Sequence, residues 1–138
     1  MSSTLAAMSD SPVFDLARFP VHLGLGATAR RQPEHTGGAS WYEAYGERNS
    51  ADGPEGRLVA VHTFQKPWDT WEMHPKGDEL VVCLSGRLVL HQEIGGENRV
   101  VTLEKHQAVV NPRGVWHTAD VEAEATALFI TAGEGTEI

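Results

Sequence analysis

From Arg57 onward the chain alternates apolar and polar residues over short stretches, the period of a half-buried strand. Arg57–Gln65 alternates roughly, and Trp71–His74, Glu79–Ser85, Arg87–Glu93, Arg99–Leu103, Gln107–Val110, Val115–Val121 and Thr126–Thr131 read as further strands. Gly86 marks a tight turn between two of them, and Ile94-Gly95-Gly96-Glu97-Asn98 reads as a hairpin loop. Many short strands at this spacing predict an all-β sandwich or barrel. Leu80-Val81-Val82-Cys83-Leu84 and Leu128-Phe129-Ile130 are apolar on both faces. One face can line an interior, and the other needs cover, either from an N-terminal arm or from a partner subunit. Trp41, Tyr42 and Tyr45 are the candidates for that cover.

Before residue 41 the pattern changes. Residues 1–40 mix Ser, Gly, Ala and Pro with little periodicity and are expected to form a mostly irregular arm, leaving residues 41–138 as the barrel. Pro12–Leu25 has scattered apolar residues, and nothing in it marks a helix. Gly37-Gly38 separates it from Trp41-Tyr42-Glu43-Ala44-Tyr45, which has strand composition, and Asn49–Gly56 is a loop by content.

A chain of 138 residues is one domain's worth. Eleven basic against nineteen acidic side chains give a net charge of -8, which argues against nucleic acid or an anionic membrane as partner. The longest apolar run, Leu80–Leu84, is far too short to span a bilayer. Met1–Asp10 has neither a basic nor an apolar stretch of a secretory signal. Cys83 is the only cysteine, which excludes an intrachain disulfide and fits a reducing compartment. A soluble, cytoplasmic, bacterial-type domain is the expectation.

The candidate chemistry lies between Trp71 and His117. Glu72 and His74 are two apart, so on a strand both point to the same face. A turn over Pro75–Asp78 would return the chain antiparallel with Glu79 opening the next strand, and a second turn at Pro112-Arg113-Gly114 would deliver His117. Carboxylate and imidazole together suit iron, manganese, nickel or zinc. Two buried carboxylates would repel unless one protonates, and a cation is the simpler account.

These residues resemble the two motifs of the cupin superfamily. His74, Glu79 and Gly86 stand at the spacing of the first motif, and Pro112, Gly114 and His117 at that of the second. The chain departs from the pattern at four places: Lys66 and His106 stand where glycine is usual, Glu72 where histidine is usual, and Val121 where asparagine is usual. The resemblance covers about residues 56–132. It implies a double-stranded β-helix (jelly-roll) barrel, one divalent metal ion held by Glu72, His74, Glu79 and His117, and a homodimer. It implies a small-molecule ligand or substrate as well, through oxygenase- or isomerase-like chemistry or through non-enzymatic binding or sensing. His62 is a candidate base facing the pocket. His22, His35, His91 and His106 read as surface or hydrogen-bonded histidines, Cys83 as a small buried residue, and Trp68, Trp71 and Trp116 as packing residues.

Overall fold

The computed structural model describes residues 11–138. Nine strands run in the order β1 (Val21–Gly24), β2 (Thr28–Arg31), β3 (Arg57–Phe64), β4 (Glu79–Ser85), β5 (Leu88–Ile94), β6 (Glu97–Leu103), β7 (Ala108–Asn111), β8 (His117–Asp120) and β9 (Ala125–Thr131). Among the described residues, one helix, α1 (Ala39–Arg48), and a 3-10 segment, Ser50–Glu55, precede β3. The strands form two antiparallel sheets, ordered β2-β1-β3-β9-β4-β7 and β6-β5-β8. The all-β architecture expected from the alternating pattern, and the jelly roll that the resemblance implies, are observed. No helix among the described residues is long and apolar enough to cross a membrane.

Strand parity divides the two faces. Val81 and Cys83 of β4, Leu88 and Leu90 of β5, Ala119 of β8, and Ala125, Ala127 and Phe129 of β9 meet in one buried cluster. Each fully buried Leu in it contributes about 1.5–3 kcal/mol by leaving water. The intervening residues Leu80, Val82, Leu128 and Ile130 pair with one another on the opposite face and stay half-buried.

Two turns show why particular backbone conformations are needed. Gly95 and Gly96, both at positive φ, make the two-residue loop between β5 and β6, a loop that requires two such residues. Gly86 has φ +74, and a Cβ there would stand 2.3 Å from the Glu124 carbonyl oxygen. His106, where the cupin pattern has glycine, keeps the left-handed backbone at φ 71, so this departure from the pattern is absorbed as local strain.

The N-terminal half differs from its sequence reading. Trp41–Tyr45 is not a strand: it lies within α1. Trp41 and Tyr45 are four residues apart, and their rings stack with centroids 5.6 Å apart and planes 3° from parallel, which only a helical turn allows. Trp41 is buried against Leu58 and Ala60 of β3, with Tyr45 packed on the same group. Ala60 pairs directly with Phe129 and so shares its inward face. The aromatic residues therefore close the interior rather than cover the outer sheet. Within the expected irregular arm, β1 and β2 form a hairpin that extends the larger sheet through β3. Trp71–His74 is held by two isolated bridges rather than as a regular strand.

Candidate metal centre

Glu72 is fixed opposite His117 by reciprocal backbone hydrogen bonds of 2.9 Å, while Met73 bridges to Glu137 near the C-terminus. His74 follows Glu72 on the same face. Glu79 opens β4 and His117 opens β8. All four side chains converge. His74 Nε2 lies 3.3 Å from Glu79 Oε2 and 3.9 Å from Glu72 Oε1, and His117 Nε2 lies 3.3 Å from Glu79 Oε1. Glu72, His74 and His117 each offer a ligand atom within 4.8 Å of the others, so these three could hold an ion together. His74, Glu79 and His117 are buried, whereas the Glu72 side chain is 32% exposed and marks the open side of the cluster.

Hydrogen bonding assigns the tautomer of both rings. His117 Nδ1 is 3.3 Å from the Val115 carbonyl, which can only accept, so Nδ1 carries the proton. His74 Nδ1 is 2.8 Å from Thr136 Oγ1, and that hydroxyl spends its single proton on the Gly133 carbonyl at 2.7 Å. The Thr136 oxygen must then accept from His74 Nδ1. Both Nε2 atoms are left buried and without a hydrogen-bond partner. In the neutral rings each is a lone pair facing a carboxylate oxygen, acceptor against acceptor. Either protons or a cation must fill the gap.

The charges agree with that reading. Burial alone would raise the Glu79 pKa, but the two imidazoles beside it hold it well below the usual carboxylate range. Burial would lower that of His117, and the Glu79 carboxylate outweighs it and pushes the imidazole up. At 3.3 Å, with no hydrogen-bond geometry at either Nε2, each is a close contact that becomes an ion pair only where the imidazole is protonated. Burial and the neighbouring Glu79 both raise the Glu72 pKa.

Several supporting residues were not legible as site residues. Asn111 Nδ2 donates to Glu79 Oε1 at 3.0 Å and Thr131 Oγ1 to Glu79 Oε2 at 2.6 Å. Thr131 carries a signal after all: it has the inward parity of Ala125, Ala127 and Phe129, yet it is polar. Thr136 carries none, because only the return of the chain through the Met73–Glu137 bridge brings it to His74.

His62 lies on the inward side of β3, opposite Ala127. Its ring is 5.8 Å from Phe129 and 5.3 Å from His35, and burial, then the nearby His35, keep its pKa below the usual imidazole value. His35 Nε2 in turn contacts Tyr42 Oη of α1 at 3.1 Å. Trp68 forms part of the wall, 6.3 Å from His117 and 6.1 Å from Phe129. Two further histidines have structural partners. His22 bridges Tyr45 and Asp52, both at 2.6 Å, and His91 pairs with Asp120 at 2.8 Å.

No family model and no curated protein matches the chain. Among solved structures, recombinant oxalate oxidase in complex with glycolate aligns with a TM-score of 0.53 at 16% identity, over 59% of this chain and 45% of that one. A second oxalate oxidase structure gives 0.51 at 18% identity, over 58% and 44%. A cupin-2 domain protein from Shewanella frigidimarina gives 0.48 at 20% identity, over 54% and 69%. The chain spans less than half the length of the oxalate oxidase chains, and at these identities the likeness is one of fold. With two antiparallel sheets closing over an interior that gathers Glu72, His74, Glu79 and His117, the chain has a cupin-like jelly-roll fold, the fold it shares with these solved structures.

Proposed function

We propose that the chain binds one divalent metal ion through His74, Glu79 and His117, with Glu72 as fourth ligand, and that a small organic molecule binds or reacts beside it. The supporting observation is the pair of buried, unpartnered Nε2 atoms, each 3.3 Å from an oxygen of the same carboxylate. Two imidazoles and two carboxylates fit iron, manganese, nickel or zinc, and the extra carboxylate at Glu72 disfavours copper(I). Such an ion, when bound, supplies open positions for a bidentate substrate and dioxygen, or Lewis-acid polarisation of a carbonyl.

The chain's own residues do the rest. Glu72 stands on the open side, where a ligand would enter. His62, kept neutral by burial, is suited to accept a proton from a bound molecule. Trp41 and its neighbours on α1 keep water from that end of the interior. Oxalate oxidase, which shares the fold, has been solved with the substrate analogue glycolate, and a molecule of that scale is what the barrel would take. The half-buried outer face of Leu80, Val82, Leu128 and Ile130, bordered by the exposed Val110, supports a homodimer. The test is His74→Ala and His117→Ala, separately and together, in untagged protein. Each single variant should lose most of its metal while its β-sheet circular dichroism is retained, and turnover of carbonyl, sugar or phenolic compounds should fall with the metal. Stoichiometric metal in the folded double variant would contradict the assignment.

A further inference from the structure

A run of hydrogen bonds leads from the surface to Glu79. Arg99 on β6 donates to Gln92 Oε1 through Nε at 2.9 Å and Nη2 at 2.5 Å. Gln92 on β5 donates from Nε2 to Asn111 Oδ1 at 2.6 Å and to the Val110 carbonyl at 2.9 Å. Asn111 on β7 donates from Nδ2 to Glu79 Oε1 at 3.0 Å. Gln92 is 0% and Asn111 1% exposed, while Arg99 stands at the surface.

The amide orientations in this run are forced from both ends. A guanidinium can only donate, so the Gln92 oxygen faces Arg99, and an ionised carboxylate can only accept, so the Asn111 nitrogen faces Glu79. The middle link, Gln92 nitrogen to Asn111 oxygen, then follows without conflict. Every bond points the same way, from a cation at the surface to an anion in the site, and both hydrogens of the Gln92 amide are used. The run also crosses between the sheets, because Gln92 pairs with Arg99 and His117 in the smaller sheet and Asn111 pairs with Glu79 in the larger.

We propose that Arg99 is a positioning residue for the candidate metal centre, holding the Glu79 carboxylate in place through Gln92 and Asn111. Without the guanidinium the Gln92 oxygen is buried with no donor. The Gln92 amide is then held from its nitrogen alone, by the Val110 carbonyl and Asn111, and its loosening in that seat frees Asn111 from its single orientation. Glu79 keeps the Thr131 bond and loses the constraint on Oε1. Partners of this kind, one bond behind a ligand, are worth about 10- to 100-fold in metal affinity, and Arg99 acts two bonds further out, so about tenfold is the expected effect. The inference rests on the metal reading of Glu79, His74 and His117, and its test separates the two.

Two measurements on Arg99→Met, with Arg99→Lys as the conservative variant, decide it. In metal-free protein, the side-chain amide resonances of Gln92 and Asn111 should shift in Arg99→Met and return part of the way in Arg99→Lys. In titrations with zinc and manganese against a competing chelator, Arg99→Met should bind about tenfold more weakly than wild type at an unchanged melting temperature of the metal-free protein. Wild-type metal binding together with unchanged affinity in Arg99→Met overturns the positioning role, as does a loss of affinity matched by a loss of fold. If the wild-type chain binds neither ion, the metal reading fails by itself. The run to Glu79 is then judged by the amide resonances, and their failure to move overturns it.

Discussion

Replacing Thr136 by valine removes a hydroxyl and keeps the side-chain shape, so it isolates what holds the His74 ring. In the native chain the Thr136 oxygen accepts from His74 Nδ1 at 2.8 Å and its proton goes to the Gly133 carbonyl at 2.7 Å. Without the hydroxyl, His74 Nδ1–H loses its protein acceptor beside a buried ring, at a cost of up to about 1–3 kcal/mol. The ring escapes that cost by moving its proton to Nε2, where Glu79 Oε2 waits at 3.3 Å. An ion that needs the Nε2 lone pair must reverse this shift, and a penalty of that size means roughly a 10- to 100-fold loss of affinity. Nitrogen-correlated spectra of the His74 ring would report the tautomer, and competition with a chromophoric chelator would report the affinity. Thr136→Ser keeps the hydroxyl and should bind metal within about threefold of wild type. A Thr136→Val protein that keeps its Nδ1 proton and its affinity would refute the tautomer argument.

Three further outcomes are expected. Glu72→Leu removes a donor and a charge and should weaken metal binding by about tenfold or more, whereas Glu72→His should retain the ion; unchanged affinity in Glu72→Leu would leave a three-ligand site. In metal-free protein, His117, with its pKa raised, contributes stability that is full below its ordinary value of 6.5 and lost as pH rises through the folded value. Glu79, with its pKa depressed, contributes above its ordinary 4.5 and loses that contribution only in stronger acid. Melting temperatures of the metal-free protein should therefore fall as the pH rises above 6.5, while added zinc or manganese should reverse the slope because the ligands must be deprotonated; a metal-free curve that rises there would count against the pairing. Sedimentation at micromolar concentration should give a dimer that Val82→Glu dissociates, and a wild-type monomer of 15.0 kDa would remove the outer-face argument.

The barrel was legible because alternation survives wherever one face is buried. β4 spans Glu79–Ser85 as the pattern predicts, and β3 and β9 lie within a residue of their predicted ends. α1 was not legible, because Trp41, Tyr42 and Tyr45 have strand composition and only tertiary packing against Leu58 and Ala60 selects the helical spacing. β1 is only four residues long with the polar His22 as its buried side chain, and β2 is exposed along most of its length, so nothing local announces them. In the site, Glu72, His74, Glu79 and His117 could be read because turn chemistry and strand parity carry them from short range. The residues that hold them could not. Gln92 shares the inward parity of Leu88 and Leu90, which flags a buried polar side chain, but its partner Asn111 depends on how two sheets face each other.

Bound metal in untagged, freshly purified protein is the most direct test of the account. Elemental analysis, repeated after reconstitution with iron, manganese, nickel and zinc in turn, should find about one equivalent per chain for at least one ion. That equivalent should be lost in the folded His74→Ala, His117→Ala double variant. Less than about a tenth of an equivalent of every ion in a correctly folded wild-type chain would mean that no cation fills the gap between Glu79 and the Nε2 atoms of His74 and His117, and the metal reading would be wrong.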